Sequence, residues 1–283
     1  PRPAFLLWFS TIRKHAISGS SLERGRLGLA MHFVDLHCHL LPSIDDGSSS
    51  IVETVEMLRV AHRRGPRGIV ATPHTFQPMF ATFSSMELIG AFSRMMDELN
   101  ELSRQEQYSF LQEVDVHLGA ENFASAEFRE ALEKRKVLTL NGSRYLLVEF
   151  SSFMPFPLIE AAVDQILEHE LTPVLAHVER YEFSYQLPES LDDLKRRGCV
   201  IQINAEAFDR RRNGEVMEFA LSLARRGVLD VIASDGHDVR GRPPVVQGAF
   251  ETLRRELPEE AVETWMSANP SRILANQSLE TPE

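Results

Sequence analysis

The residues of this 283-residue chain that could do chemistry are histidines and carboxylates, and they recur in a pattern. The run Asp35-Leu36-His37-Cys38-His39 sets two imidazoles two residues apart. In an extended segment that spacing turns both to one side, where they can reach a single cation. Asp45-Asp46-Gly47 follows and adds hard oxygen ligands just ahead of a helical segment. Further on come Thr72-Pro73-His74, Gly119-Ala120-Glu121, Val148-Glu149-Phe150, Leu175-Ala176-His177-Val178-Glu179-Arg180 and Ala233-Ser234-Asp235-Gly236-His237-Asp238. Taken singly, each has a bland explanation: a helix cap, a satisfied core histidine or an ionic contact. Imidazoles mixed with carboxylates, without thiolates, suit manganese, iron or zinc better than an all-oxygen magnesium or calcium cage.

The elements that must position these groups follow from periodicity. From Phe33 onward, short β-rich runs alternate with longer segments of helical spacing, the pattern of a parallel α/β fold. Strands are predicted over 33–37, 68–72, 115–120, 144–150, 172–176, 199–204 and 230–233. Ser50 and Glu53 form a capping box for the first helix, which repeats Ile51, Val55 and Leu58 on one face and stops at Gly65-Pro66. Segments 86–106 and 157–170 show the same apolar spacing. With no internal repeat and no dividing linker, the run predicts one TIM-like (β/α)7 barrel over residues 31–283, a unit short of the usual eight. Active sites of such barrels lie at the carboxyl ends of the strands, where nearly every predicted strand here ends in His or a carboxylate. The bland explanations do not predict that coincidence, and it points to a multinuclear metal site. Glu149 ends an apolar run and would be costly to bury unless paired or bound to metal. Cys38, between two histidines, is predicted to point the other way, into the core.

Composition sets outer limits. A formal net charge of -11 argues against a nucleic-acid or anionic-membrane surface, so positive charge for a phosphate substrate would come from metal. Two distant cysteines, Cys38 and Cys199, offer neither a disulfide framework nor a Cys-rich zinc site, which suits a reducing cytoplasm. Residues 1–30 read as a poorly ordered extension, their apolar run of residues 4–9 being far too short to span a bilayer.

The ordered motifs DLHCHLLPSIDDG, TPH, GAE, LVEFS, AHVERY, ASDGHD and GRPP resemble the PHP-type (polymerase and histidinol phosphatase) tyrosine-protein phosphatases of bacterial capsule and exopolysaccharide synthesis. The resemblance runs from about Met31 to the Asn269-Pro270-Ser271-Arg272 segment. It implies a distorted TIM-like barrel of the PHP type with a trinuclear site of divalent metals, manganese foremost with iron or zinc as alternatives. The ligands would be His37, His39, Asp46, His74, Glu121, Glu149, His177, Asp235 and His237. It also implies that Arg180 and Arg242 lie beside the bound phosphate, and that the partner is a phosphotyrosine protein, namely the flexible tail of a bacterial tyrosine kinase. Clustered cations would acidify a shared water for in-line attack on phosphorus. A phenolate leaving group, with a conjugate-acid pKa of about 10, needs little protonation, so a general acid is dispensable; the candidates for one are Asp238 and a metal-bound water. The cysteine route to phosphotyrosine hydrolysis requires an arginine six positions after the nucleophile, and Ile44 and Ala205 stand there. Two alternatives share the scaffold: another PHP phosphoesterase, such as a histidinol-phosphate phosphatase, and a silent module that only binds a partner.

Overall fold

The computed structural model describes residues 32–209 and 214–280, so the expectation for residues 1–30 lies outside the described residues. The first strand, β1 (Phe33–Cys38), is an almost wholly buried run, and the chain returns through α1 (Ile51–Arg64). The Ser50 hydroxyl accepts the Glu53 N–H, as expected, but the Glu53 carboxylate accepts the N–H and hydroxyl of Ser49 at 2.9 and 2.6 Å. The predicted box therefore closes one residue early. A reciprocal box does cap the later α2 (Ser85–Leu102), between Ser84 and Glu87.

The second and third predicted strands each end short, and after a gap of two residues a second short strand follows. β2 (Pro66–Ala71) and β3 (His74–Thr75) flank Thr72-Pro73. β4 (Asp115–Leu118) and β5 (Glu121–Phe123) flank Gly119-Ala120. Proline has no N–H to give a ladder, which accounts for the first break. Segment 86–106 also ends early, and a 3-10 stretch, Glu106–Glu113, leads into β4. The chain continues through α3 (Ala126–Glu133), β6 (Tyr145–Glu149), α4 (Phe156–Glu168) and β7 (Thr172–Leu175). Next come α5 (Glu182–Gln186), α6 (Ser190–Arg196), β8 (Val200–Asn204) and α7 (Gly214–Arg225). β9 (Val231–Ala233), α8 (Gln247–Glu256), α9 (Glu259–Glu263) and α10 (Asn269–Leu274) complete it.

Every ladder is parallel, in the orders β1-β2-β4 and β3-β5-β6-β7-β8-β9. With each broken strand taken as one, seven strands lie side by side in chain order. The curled sheet then meets its own beginning: Asp235 N–H donates to His37 O and His39 N–H to Gly236 O, both at 2.8 Å. This is the expected distorted (β/α)7 barrel. One apolar cluster joins Leu36, Val70, Leu147, Val174, Val200 and Val231, from six of the strands, to Ile273 of α10. A second packs α1 and α2 onto β1 and β2 through Met57, Leu58, Phe92 and Met95, with Cys38 among them as expected. Each large apolar side chain buried this way contributes about 1.5–3 kcal/mol, which offsets the cost of the polar groups gathered at the strand ends.

Candidate metal centre

The cage is assembled strand by strand at the carboxyl ends. Alternation along β1 does turn His37 and His39 the same way, and their Nε2 atoms lie 3.3 Å apart. Beyond β1 the chain loops back through Asp45-Asp46-Gly47 so closely that a Cβ on Gly47 would stand 2.3 Å from His39 O. Only glycine fits there, and the approach places two neighbouring aspartates differently. Asp45 backs the cage: its carboxylate meets His39 Nδ1 at 2.7 Å and accepts the N–H groups of His74 and Gly47 at 2.9 and 3.0 Å. Asp46 faces inward, with Oδ1 3.5 Å from His74 Nε2 and 3.3 Å from His237 Nε2.

Glu121 occupies the middle. Its carboxylate lies 2.9 Å from His74 Nδ1, 2.9 Å from His177 Nε2, 3.3 Å from His37 Nε2 and 3.4 Å from His39 Nε2. Glu149 approaches from β6, 3.7 Å from His74 Nδ1 and 3.8 Å from His177 Nε2. Asp235 Oδ1 lies 3.4 Å from His37 Nε2 and 3.5 Å from both His39 Nε2 and His237 Nδ1. His177 and Asp235 each follow a strand in left-handed backbone, with φ of 33° and 52°. That conformation is strained for residues with side chains and gathers at functional sites.

All nine sequence-predicted ligand positions thus meet at one mouth. Three sets offer ligand atoms that all lie within 4.8 Å of one another: His39, Asp46, His74 and His237; His37, His39 and Glu121; and His74, Glu121 and Glu149. His177 and Asp235 flank these sets. The residues fit divalent cations on a further observation. Buried His74 Nδ1, Glu121 Oε2 and His237 Nε2, all on residues of these sets, make no hydrogen bond, even where a neighbour is 2.9 Å away. Each buried polar atom left so costs about 1–3 kcal/mol without a ligand.

Electrostatics follow from the crowding. Burial, then the Glu121 charge, pushes Glu149 up to about 7. Burial works the same way on Glu121, but His37 and His74 hold it well below the usual carboxylate range. Burial likewise opposes ionisation of Asp235, which His37, His39 and Arg180 keep well below that range.

Both sequence-predicted arginines flank the mouth and converge on one atom. Arg180 Nη1 and Arg242 Nη2 reach Asp235 Oδ2 at 2.8 and 2.7 Å, and Arg180 Nη2 also meets Glu206 at 3.2 Å. Each side chain is 34% exposed, so N–H groups remain accessible from solvent. Asp238 lies differently from its expected role as acid. Its Oδ1 accepts the backbone N–H groups of Arg240 and Gly241, both at 2.5 Å. Burial works to raise it, but those bonds together hold it below its ordinary value. A carboxylate kept ionised inside a turn shapes the Arg242 loop and is poorly suited to proton donation.

Sequence reasoning missed several supports. Gln77 donates to Glu149 Oε2 at 3.2 Å, and the Phe80 ring stacks on His74 with centroids 4.9 Å apart. Asp45 carried a signal, standing beside Asp46, but not its role behind His39. Neither cysteine reaches the cage as a nucleophile: both are buried, and burial drives the Cys38 thiol well above its ordinary value and the Cys199 thiol up to about 12.

A curled parallel barrel whose strand ends gather imidazoles and carboxylates, with arginines at the rim, defines an α/β barrel with a candidate metal centre. The sequence profile for capsular polysaccharide synthesis, CpsB/CapC, matches residues 33–275, and the chain belongs to that family. It is 30% identical over 249 residues to the tyrosine-protein phosphatase CpsB of Streptococcus pneumoniae, covering 86% of this chain and 99% of that protein. To the tyrosine-protein phosphatase YwqE of Bacillus subtilis it is 29% identical, covering 87% and 93%. A crystal structure from work on YwqE and CpsB, described as unique metal-dependent tyrosine phosphatases, superposes with a TM-score of 0.78 at 28% identity, covering 88% of this chain and 97% of that one.

Proposed function

We propose that this protein is a metal-dependent protein-tyrosine phosphatase acting in capsule or exopolysaccharide synthesis. The observation that carries this reading is the convergence of nine imidazole and carboxylate side chains on one barrel mouth with two arginine heads beside them. His37, His39, Asp46, His74, Glu121, Glu149, His177, Asp235 and His237 would hold three divalent cations, manganese foremost, and the three overlapping ligand sets support that count. When bound, such cations supply positive charge for a phosphate monoester and acidify water toward neutral pH.

The chain's own residues do the rest. Arg180 and Arg242 present planar guanidinium groups to phosphate oxygens and strengthen those contacts as charge shifts in the transition state. Asp235 Oδ2 anchors both heads in place, and Asp238 fixes the loop that delivers Arg242. The leaving phenolate, with a conjugate-acid pKa of about 10, departs without a dedicated proton donor. The phosphotyrosine proposed is that of a bacterial tyrosine kinase tail in the cytoplasm, whose flexibility suits a site open at a barrel mouth. No helix among the described residues is long and apolar enough to cross a membrane.

The test is turnover of p-nitrophenyl phosphate, a phosphotyrosine peptide and histidinol phosphate after chelation and after restoring manganese. Manganese-dependent turnover led by the phosphotyrosine peptide is expected. Dominant activity on histidinol phosphate would overturn the substrate, and His177→Ala with full activity would overturn the centre.

A further inference from the structure

The sixth strand of the barrel, β8, supplies no imidazole or carboxylate to the cage, yet all five of its residues are buried and it lies between β7, which leads to His177, and β9, which leads to Asp235. Two amides occupy the place of ligands. Gln202 and Asn204, both fully buried, form a chain of hydrogen bonds that touches three members of the cage. Gln202 Oε1 accepts the backbone N–H of His177 at 2.9 Å and lies 3.2 Å from His37 Nδ1. Gln202 Nε2 donates to Asn204 Oδ1 at 2.8 Å, and Asn204 Nδ2 donates to Asp235 Oδ2 at 2.9 Å.

The direction of this chain is not free. A backbone N–H can only donate, so the end of the Gln202 amide that faces His177 must be its oxygen. That oxygen also faces His37 Nδ1, which must then carry a proton, leaving the lone pair of His37 on Nε2. His37 Nε2 is the atom turned toward Glu121 and Asp235. With Gln202 oriented, its NH2 group fixes the Asn204 oxygen, and the Asn204 NH2 group is left for Asp235. Together with Arg180 and Arg242, it places three donors on Asp235 Oδ2 and leaves Oδ1 turned to the histidines.

We propose that Gln202 and Asn204 are positioning residues: one backbone N–H, relayed through two amides, sets the tautomer of His37 and the carboxylate orientation of Asp235, so that Nε2 and Oδ1 face the cations. This rests on the reading of the cage as a metal centre. Partners behind metal ligands of this kind are worth about 10–100-fold in metal affinity or activity.

The experiment uses the full chain. Manganese affinity is measured by calorimetric titration for the wild type, Gln202→Leu and Asn204→Ala, with circular dichroism to verify folding, and 15N-histidine NMR reports the tautomer of His37 in the wild type. The expected result is a 10–100-fold weaker manganese affinity in Gln202→Leu, a smaller loss in Asn204→Ala, and a proton on His37 Nδ1. Affinities within threefold of the wild type in either folded variant, or a His37 protonated on Nε2, would overturn the proposal. Failure of the wild type to bind manganese would overturn the metal centre itself, a distinguishable outcome. Should Gln202→Leu not fold, Asn204→Ala and the wild-type spectrum decide.

Discussion

Substitution of Gly47 by alanine is the most informative perturbation, because the structure sets its size. The added Cβ would stand 2.3 Å from His39 O and 2.4 Å from His39 Cβ, where ordinary contact begins at 3.4 Å, so something must move by about 1 Å. His39 cannot yield easily: its own N–H is tied to Gly236 O at 2.8 Å, across the seam that closes the barrel. The loop must move instead, taking Asp45 from His39 Nδ1 and Asp46 from the imidazoles of His74 and His237. Overpacking of this kind costs about 1–3 kcal/mol. At about 2–4 °C per kcal/mol for a domain of this size, the melting temperature falls by roughly 2–12 °C. Misplacement of a catalytic group by about 1 Å costs about 100-fold in rate. The assay is manganese-dependent hydrolysis of p-nitrophenyl phosphate beside a thermal melt. Gly248→Ala serves as a control, since an added Cβ there meets nothing within 4 Å. A Gly47→Ala protein with wild-type kcat/KM and an unchanged melting temperature would refute the reasoning.

Metal removal has a thermal signature. Manganese at 100 times its Kd stabilises by about 2.7 kcal/mol, and hence raises the melting temperature by about 5–11 °C over chelator-treated protein. A melt insensitive to manganese would contradict a cation-bound cage. Cys199→Ala is expected to keep kcat/KM within about twofold, and iodoacetamide should leave the native enzyme active, because a buried thiol pushed up to about 12 is not a nucleophile. Loss of activity on alkylation would argue otherwise. His117, on β4 away from the cage, has its pKa lowered by burial. The unfolded chain then takes up a proton before the folded one does, so this contribution is intact above about pH 6.5 and is lost as pH falls toward the folded value. His117→Gln should flatten the fall of the urea midpoint between about pH 7.5 and pH 5, and an identical fall in both proteins would exclude the residue as its source.

Much of the cage is legible in the sequence because its rules are local. His37 and His39 share a side through strand alternation, and His74, Glu121, Glu149, His177 and Asp235 are found by asking what ends each apolar run. What is hidden depends on distant partners. Gln202 reads as a polar interruption of a strand, and its meaning lies in a histidine 165 positions away. Asp45 and Asp46 are chemically identical neighbours, and only the tight approach at Gly47 sends one behind His39 and the other inward. Asp238 looks like an acid beside His237, but the turn that follows consumes its oxygens. The strand breaks at Thr72-Pro73 and Gly119-Ala120 fall where apolar runs give out, and of the two only the proline announces itself.

The left-handed backbone of His177 and Asp235 has a consequence for how the protein would respond to heat. Each such residue costs about 1–3 kcal/mol that a glycine at the same place would largely recover. Deleting either side chain, however, would strand the buried groups paired with it, a loss of about 3–5 kcal/mol, so a screen that rewarded thermal survival alone would keep His177 and Asp235 in their strained conformations.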